Sequence, residues 1–164
     1  MPHLRVICCW LVFTDSDSQR HTLASQGVND IVNFLLMIQT ICISSSMRFK
    51  TDIQKALRDF QTLGIKALFP NLEVVETPSD IAEQKRLFAE HFAAIDDADA
   101  LYVINKGGYI GSSVKIEIGY TLGKGKIVIF AEQALESELN ALAKAIISLE
   151  HLAHLNEDLE SSLV

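Results

Sequence analysis

Cysteine is scarce: three residues in 164, two of which, Cys8 and Cys9, are neighbours. An odd count with adjacent members does not suit a disulfide framework, and a reducing, cytoplasmic setting is expected. Positive charge is scarce too. Lys and Arg number 14 against 21 Asp and Glu, a formal net charge of −7. That balance argues against a general nucleic-acid binder, which needs a basic face to displace counterions. No apolar run approaches the roughly 20 residues that span a bilayer, so no membrane partner is expected. No internal repeat is found. Apolar residues are plentiful, with 49% hydrophobic against 21% charged. This is enough for a core, and the length suits one domain.

The acid excess is local. Residues 1–36 carry Arg5 and Arg20 against Asp15, Asp17 and Asp30, a net of −1. Residues 37–130 balance eleven bases against eleven acids, and residues 131–164 set Lys144 against seven acids, a net of −6. An anion-binding site is therefore expected in the balanced middle. The first 36 residues hold an apolar run, Val6–Phe13, followed by Thr14-Asp15-Ser16-Asp17. A secretory signal lacks a clean cleavage site here, and a buried extra strand is open. The simplest reading is an appendage without clear periodicity, disordered or upstream of the true start. Met37 is then a candidate start and 37–164 the domain.

From Met37 onward strands and helices alternate. Ile38–Ile43 reads as a strand, Ser44-Ser45-Ser46 as a turn, and Phe49–Leu63 as a helix with Gly64 at its C-cap. Ile65–Phe69 is a second strand, ended by Pro70-Asn71. Ser79 is placed to cap a helix running to about Ile95, with Ile81, Leu87, Phe88, Phe92 and Ile95 inward. Ala100–Ile104 is a third strand and Lys106–Gly111 a glycine loop. Ser112 or Ser113 caps a helix to Leu122, and Ile127–Phe130 is a fourth strand. A last helix is expected over Leu135–Leu155. This alternation predicts a single α/β domain, a three-layer doubly wound parallel sheet of the flavodoxin or Rossmann kind. Ligands bind such sheets beyond the carboxyl ends of the strands. Three loops meet there: Ser44–Arg48, Asn71–Thr77 and Asn105–Ser113.

Several motifs fail on inspection. Gly107–Gly111 lacks GxGxxG spacing and follows the third strand, which argues against a dinucleotide fingerprint. Gly123-Lys124-Gly125-Lys126 fails GxxxxGK[ST] and reads as a tight turn. His151 and His154 have metal-pair spacing but no third ligand near in sequence, so a solvated face is simpler and no metal is expected. Cys42 reads as core. Leu135, Leu139, Leu142, Ile146 and Leu149 repeat at 4-3-4-3 and continue to Leu152, Leu155 and Leu159. That stripe docks on the sheet, and its length suggests a homo-oligomer interface through the C-terminal helix.

Two segments carry chemistry. Ser44–Arg48 lies between the first strand and first helix, where backbone N–H groups, hydroxyls and Arg48 suit an anion. Plain helix capping with a surface arginine accounts equally well for the pattern. Glu117 lies in the helix after the glycine loop; if Ile116 and Tyr120 face inward, it sits near the first turn at the ligand edge. A carboxylate there can attack an electrophilic carbon, although from pattern alone an exposed helical glutamate is simpler.

Asp99–Phe130 resembles the core of the nucleoside 2-deoxyribosyltransferase-like family. Ala98-Asp99, Gly107–Gly111, Glu117-Ile118-Gly119-Tyr120 and Leu122-Gly123-Lys124 stand where that family has its strand entry, glycine loop, Glu-[Ile/Leu]-Gly helix and Leu-Gly-Lys turn. Ser45-Ser46-Met47-Arg48 is similar to its Gly-Ser-[Ile/Met]-Arg loop. The likeness covers about residues 38–130.

The resemblance implies cleavage of the N-glycosidic bond of a 2′-deoxynucleoside or its 5′-monophosphate. Glu117 would attack the anomeric carbon and pass the deoxyribosyl group to a base or to water. No cofactor or metal is implied. Ser46 and Arg48 would hold a 5′-phosphate where there is one, Asn105, Tyr109 and Ser112 would line sugar and base, and Ser45, Met47, Gly108 and Gly111 complete the substrate-binding set. His91 stands where the family has an aspartate and is the second catalytic candidate. Ser45 replaces the family's glycine, Gly125 its proline, and Tyr109-Ile110-Gly111 lengthens the loop. A nucleotide-binding or sensor domain without turnover, and an interaction module on the acidic C-terminal helix, are the competing readings.

Overall fold

The computed structural model describes residues 38–69 and 80–153. The expectations for residues 1–36 and for Met37, Pro70-Asn71, the Asn71–Thr77 loop, Ser79, His154, Leu155 and Leu159 lie outside the described residues.

Strand β1 (Thr40–Ser45) passes through a 3-10 turn (Met47–Phe49) into helix α1 (Lys50–Thr62) and strand β2 (Lys66–Leu68). Helix α2 (Ile81–Asp97) leads to β3 (Ala100–Ile104), a 3-10 turn (Lys106–Gly108), α3 (Ser112–Gly123) and β4 (Ile127–Phe130). A short α4 (Ser137–Asn140) and β5 (Ala145–Ile146) follow, then a helical turn over residues 149–153. The sheet order is β2-β1-β3-β4-β5 with every pairing parallel. This is the expected three-layer, doubly wound α/β fold.

Parallel strands covered on both faces are apolar throughout, and β3 is buried at all five positions. On one face Cys42, Leu101, Val103, Val128 and Phe130 pack with Ile95 of α2 and Val114 and Ile118 of α3. On the other, Phe60 of α1 meets Tyr102 edge-on, ring centroids 5.0 Å apart. Tyr102 donates its hydroxyl hydrogen to the Ile147 carbonyl at 2.6 Å. Burying side chains of this size stabilises the fold by about 1.5–3 kcal/mol each.

The ends of the elements have local causes. Gly64, at φ +75, closes α1, as expected. The Asp80 carboxylate accepts from the N–H groups of Ala82 and Glu83 and caps α2. At the other end of α2, Lys126 Nζ donates to the carbonyls of Ile95 and Ala98 at 2.8 and 2.7 Å. A cation there complements the helix dipole. Gly125, at φ +70, makes the tight turn before β4.

Five expectations need correction. Of the expected helix over Leu135–Leu155, the described residues 135–153 do not form one helix. The N–H groups of Lys144 and Ile147 instead donate to the Val128 and Phe130 carbonyls at 2.8 Å each, so the edge of β4 takes this segment as a fifth strand. Asn140 adds a turn by holding both the N–H and the carbonyl of Ala134. The described part of the 4-3-4-3 stripe does not lie along one helix, and Leu135, Leu142 and Ile146 are 77%, 40% and 44% exposed. β1 lies two residues further on than expected, because Ser44 and Ser45 pair with Val103 and Ile104. Ile81 is 67% exposed, not inward. The N-cap of α3 is Gly111, not Ser112 or Ser113, and no side chain caps it. Among the described residues no helix is long and apolar enough to cross a membrane.

Candidate active site

The strand order places β1 beside β3, and the chain leaves these two strands in opposite directions. That is the switch point at which doubly wound sheets open a crevice at their carboxyl edge. Ser44 arrives there from β1, one residue before the strand ends. Because side chains alternate along a strand, Cys42 and Ser44 share the face covered by α2 and α3. Helix α3 turns Val114, Glu117, Ile118 and Thr121 inward, leaving Ile116 52% exposed. The inward face is thus set by Glu117 itself rather than by Ile116, and Glu117 is no exposed helical glutamate: it is 7% exposed.

Three elements meet at the Glu117 carboxyl. Ser44 Oγ donates a hydrogen bond to Oε2. His91 of α2 brings Nε2 to 3.5 Å from the same oxygen, and Cys42 Sγ lies 3.5 Å from that nitrogen. Phe69 stands edge-on to the imidazole, centroids 6.0 Å apart. Thr121 donates to the Glu117 main-chain carbonyl at 2.8 Å.

Burial governs the charges. It raises Glu117 from the ordinary carboxylate range to about 7, and the Ser44 hydrogen bond pulls it back only in part. Burial lowers His91 to about 4, against a weaker opposing pull from the Ile43 carbonyl. Burial and the nearby Glu117 carboxylate push the Cys42 thiol up to about 12, so it is inert at neutral pH. The His91–Glu117 contact has ion-pair geometry without ion-pair charge, since the imidazole is neutral at pH 7. The carboxyl titrates near neutrality and can serve as an acid or, once ionised, as a nucleophile.

The other sequence candidates fall into two groups. Arg48 and Tyr109 come from the two loops flanking the rim, with the guanidinium 4.2 Å from the ring centroid. Gly111 lies against Tyr109, where an added Cβ would meet its hydroxyl oxygen at 3.4 Å. Ser46 precedes the 3-10 turn that carries Met47 and Arg48. Ser45 donates to the Ile104 carbonyl at 3.0 Å, and Ser112 is exposed. Asn105 and Gly108 belong instead to the scaffold. The Asn105 side chain holds the carbonyl and the N–H of Glu132, at 2.7 and 2.9 Å. Gly108, at φ +76, lies where a Cβ would stand 2.7 Å from the Gln133 carbonyl oxygen.

A separate cleft of about 350 Å³ opens on the α1 side, lined by Asp52, Lys55, Lys106, Glu132 and Ser148 among others. Lys106 is paired with Asp52 and Lys55 with Asp59, and no sequence candidate lines the cleft. Among the described residues no group of three or more His, Cys, Asp and Glu side chains is arranged to hold a metal ion.

Sequence reasoning missed Ser44 as the partner of Glu117; Cys42 is core, as expected, and in addition touches His91. The signal was present: a hydroxyl two residues after Cys42, at the end of an otherwise apolar strand.

No protein-family model and no curated protein matches the chain.

Proposed function

We propose that the chain cleaves the N-glycosidic bond of a nucleoside or nucleotide, passing a 2-deoxyribosyl group to a base or to water through a glutamyl intermediate. The observation that carries this reading is the Glu117 carboxyl, buried at the β1/β3 switch point and bonded to Ser44. The resemblance of residues 38–130 to the nucleoside 2-deoxyribosyltransferase-like family supports it. A small-molecule substrate and a cytoplasmic setting accompany the reading.

The chemistry follows that of retaining glycosidases. A Glu117 oxygen forms a bond to the anomeric carbon as the carbon–nitrogen bond breaks. The bonding pair leaves with the base, which takes a proton from water. A water oxygen, or a nitrogen of a second base, then bonds to the same carbon. The ester bond to Glu117 breaks, the carboxylate returns, and the incoming nucleophile loses its proton. Arg48 would neutralise a 5′-phosphate and Tyr109 would stack on the base.

A second reading, nucleotide binding without turnover, is favoured by one observation. His91 is held neutral, so at pH 7 it carries no spare proton for a leaving base. One screen separates the two. Deoxynucleosides and their monophosphates are incubated with the protein, with and without a second base, and free base is measured. Release that is lost in Glu117→Ala, with the fold intact by circular dichroism, supports the glycosidase reading. A melting temperature that rises with nucleotides while no base appears over hours supports the binding reading.

A further inference from the structure

We propose that Ser44 is a positioning residue that tethers Oε2 of Glu117 and so presents Oε1 as the attacking oxygen. This rests on the glycosidase reading above for its consequence, though not for its geometry.

Ser44 is fully buried, 0% exposed, in a strand whose neighbours Cys42 and Ile43 are equally buried. An alanine or valine would fill such a position with no hydroxyl to desolvate, so packing alone does not call for serine. The hydroxyl hydrogen goes to Glu117 Oε2. His91 Nε2 approaches the same oxygen, at 3.5 Å. Among the described residues both side-chain contacts to this carboxyl fall on Oε2 and neither on Oε1.

A carboxylate held by one oxygen keeps its plane fixed while the other oxygen remains free to form a bond. A hydroxyl suits this task because it donates to the ionised carboxylate and can accept from the protonated acid. Among the described residues the titratable groups facing Glu117 are His91 from α2 and Cys42 from β1. Burial keeps both uncharged at neutral pH, so neither sets a positive charge beside the Glu117 anion. Ser44 is the donor that favours the ionised form, and its bond does lower the Glu117 pKa against the effect of burial.

The test reads the carboxyl directly. The full chain is labelled with ¹³C at glutamate Cδ, the Glu117 signal is assigned from its loss in Glu117→Gln, and its titration is followed in wild type, Ser44→Ala and Ser44→Thr. Removing the hydroxyl is expected to raise the midpoint, cutting the ionised fraction below that midpoint by about tenfold. Ser44→Thr, which keeps the hydroxyl, is expected to restore it. The acidic limb of base release is expected to move with the NMR midpoint, with kcat lowered and KM little changed.

An unshifted midpoint in folded Ser44→Ala protein overturns the tether, whatever the activity. If Ser44→Ala does not fold, the near-isosteric Ser44→Cys replaces it: a raised midpoint supports the tether and an unchanged one overturns it. A shifted midpoint with no base released from any deoxynucleoside ends the glycosidase reading and leaves the tether standing.

Discussion

His91 Nε2 and Glu117 Oε2 stand 3.5 Å apart, and the burial that raises the acid to about 7 also lowers the base to about 4. One low-dielectric environment disfavours both charges. At neutral pH the two groups therefore meet as a neutral imidazole and a carboxyl midway through its titration.

Their effects on folding oppose each other. Glu117 holds its proton more tightly folded than unfolded, so it removes stability as pH rises from about 4.5 to about 7. His91 holds its proton less tightly folded, so it removes stability as pH falls from about 6.5 to about 4. From about 4.5 to 6.5 the two slopes cancel. In Glu117→Gln only the histidine slope remains. That variant is expected to exceed wild type by on the order of 3 kcal/mol above pH 7 and to lose the advantage towards pH 4. Urea melts at pH 4, 5, 6 and 8 check this; curves that track wild type at every pH would contradict the raised carboxyl.

Catalysis should follow the ionised carboxylate. Base release is expected to climb with pH through about 7, the value to which burial lifts Glu117. A rate already level at pH 5 would contradict the raised carboxyl, and the role of Glu117 as nucleophile then rests on Glu117→Ala alone.

The glycine loop offers a paired test. Gly107 and Gly108 both have positive φ, +63 and +76. A Cβ on Gly107 meets nothing within 4 Å, whereas one on Gly108 meets the Gln133 carbonyl oxygen at 2.7 Å and the Leu135 nitrogen at 2.9 Å. Gly107→Ala is expected to cost about 1 kcal/mol from backbone conformation alone. Gly108→Ala adds a clash with main chain and is expected to cost at least about twice as much. Thermal melts of the two variants decide it, and equal losses would place the 133–135 segment further away.

Asn105 was expected to line the substrate, yet its amide is engaged by the Glu132 main chain on both sides. Asn105→Ala leaves a donor and an acceptor without their partner, a loss of about 1–3 kcal/mol in urea denaturation. A much larger effect on KM than on stability would return Asn105 to the substrate.

Arg48 is exposed and stacked on Tyr109, so Arg48→Ala is expected to leave the melting temperature close to wild type. If the guanidinium binds phosphate, KM rises about tenfold for a deoxynucleoside monophosphate and little for the free nucleoside. Equal changes for both would move the phosphate site elsewhere.

The candidate site was legible in part. Glu117 stood out through its motif-like surroundings, and His91 through its place in the helix before β3. Their contact was not legible, because it joins residues of α2 and α3 across the end of β1. Ser44 was hidden for a related reason: three serines read locally as a turn, and only pairing with Val103 keeps the first of them in the strand.

The sequence by itself determined the alternation of strand and helix, since that rests on local periodicity and caps: β3 and β4 run over the expected residues and Gly64 closes α1. Tertiary structure alone decided the fate of residues 135–153, whose apolar spacing fits a helix while the free edge of β4 takes Ala145 and Ile146 as a strand. It also decided that Glu117 faces inward. A helix pattern states which residues share a face, and the sheet it packs on selects the face that is buried.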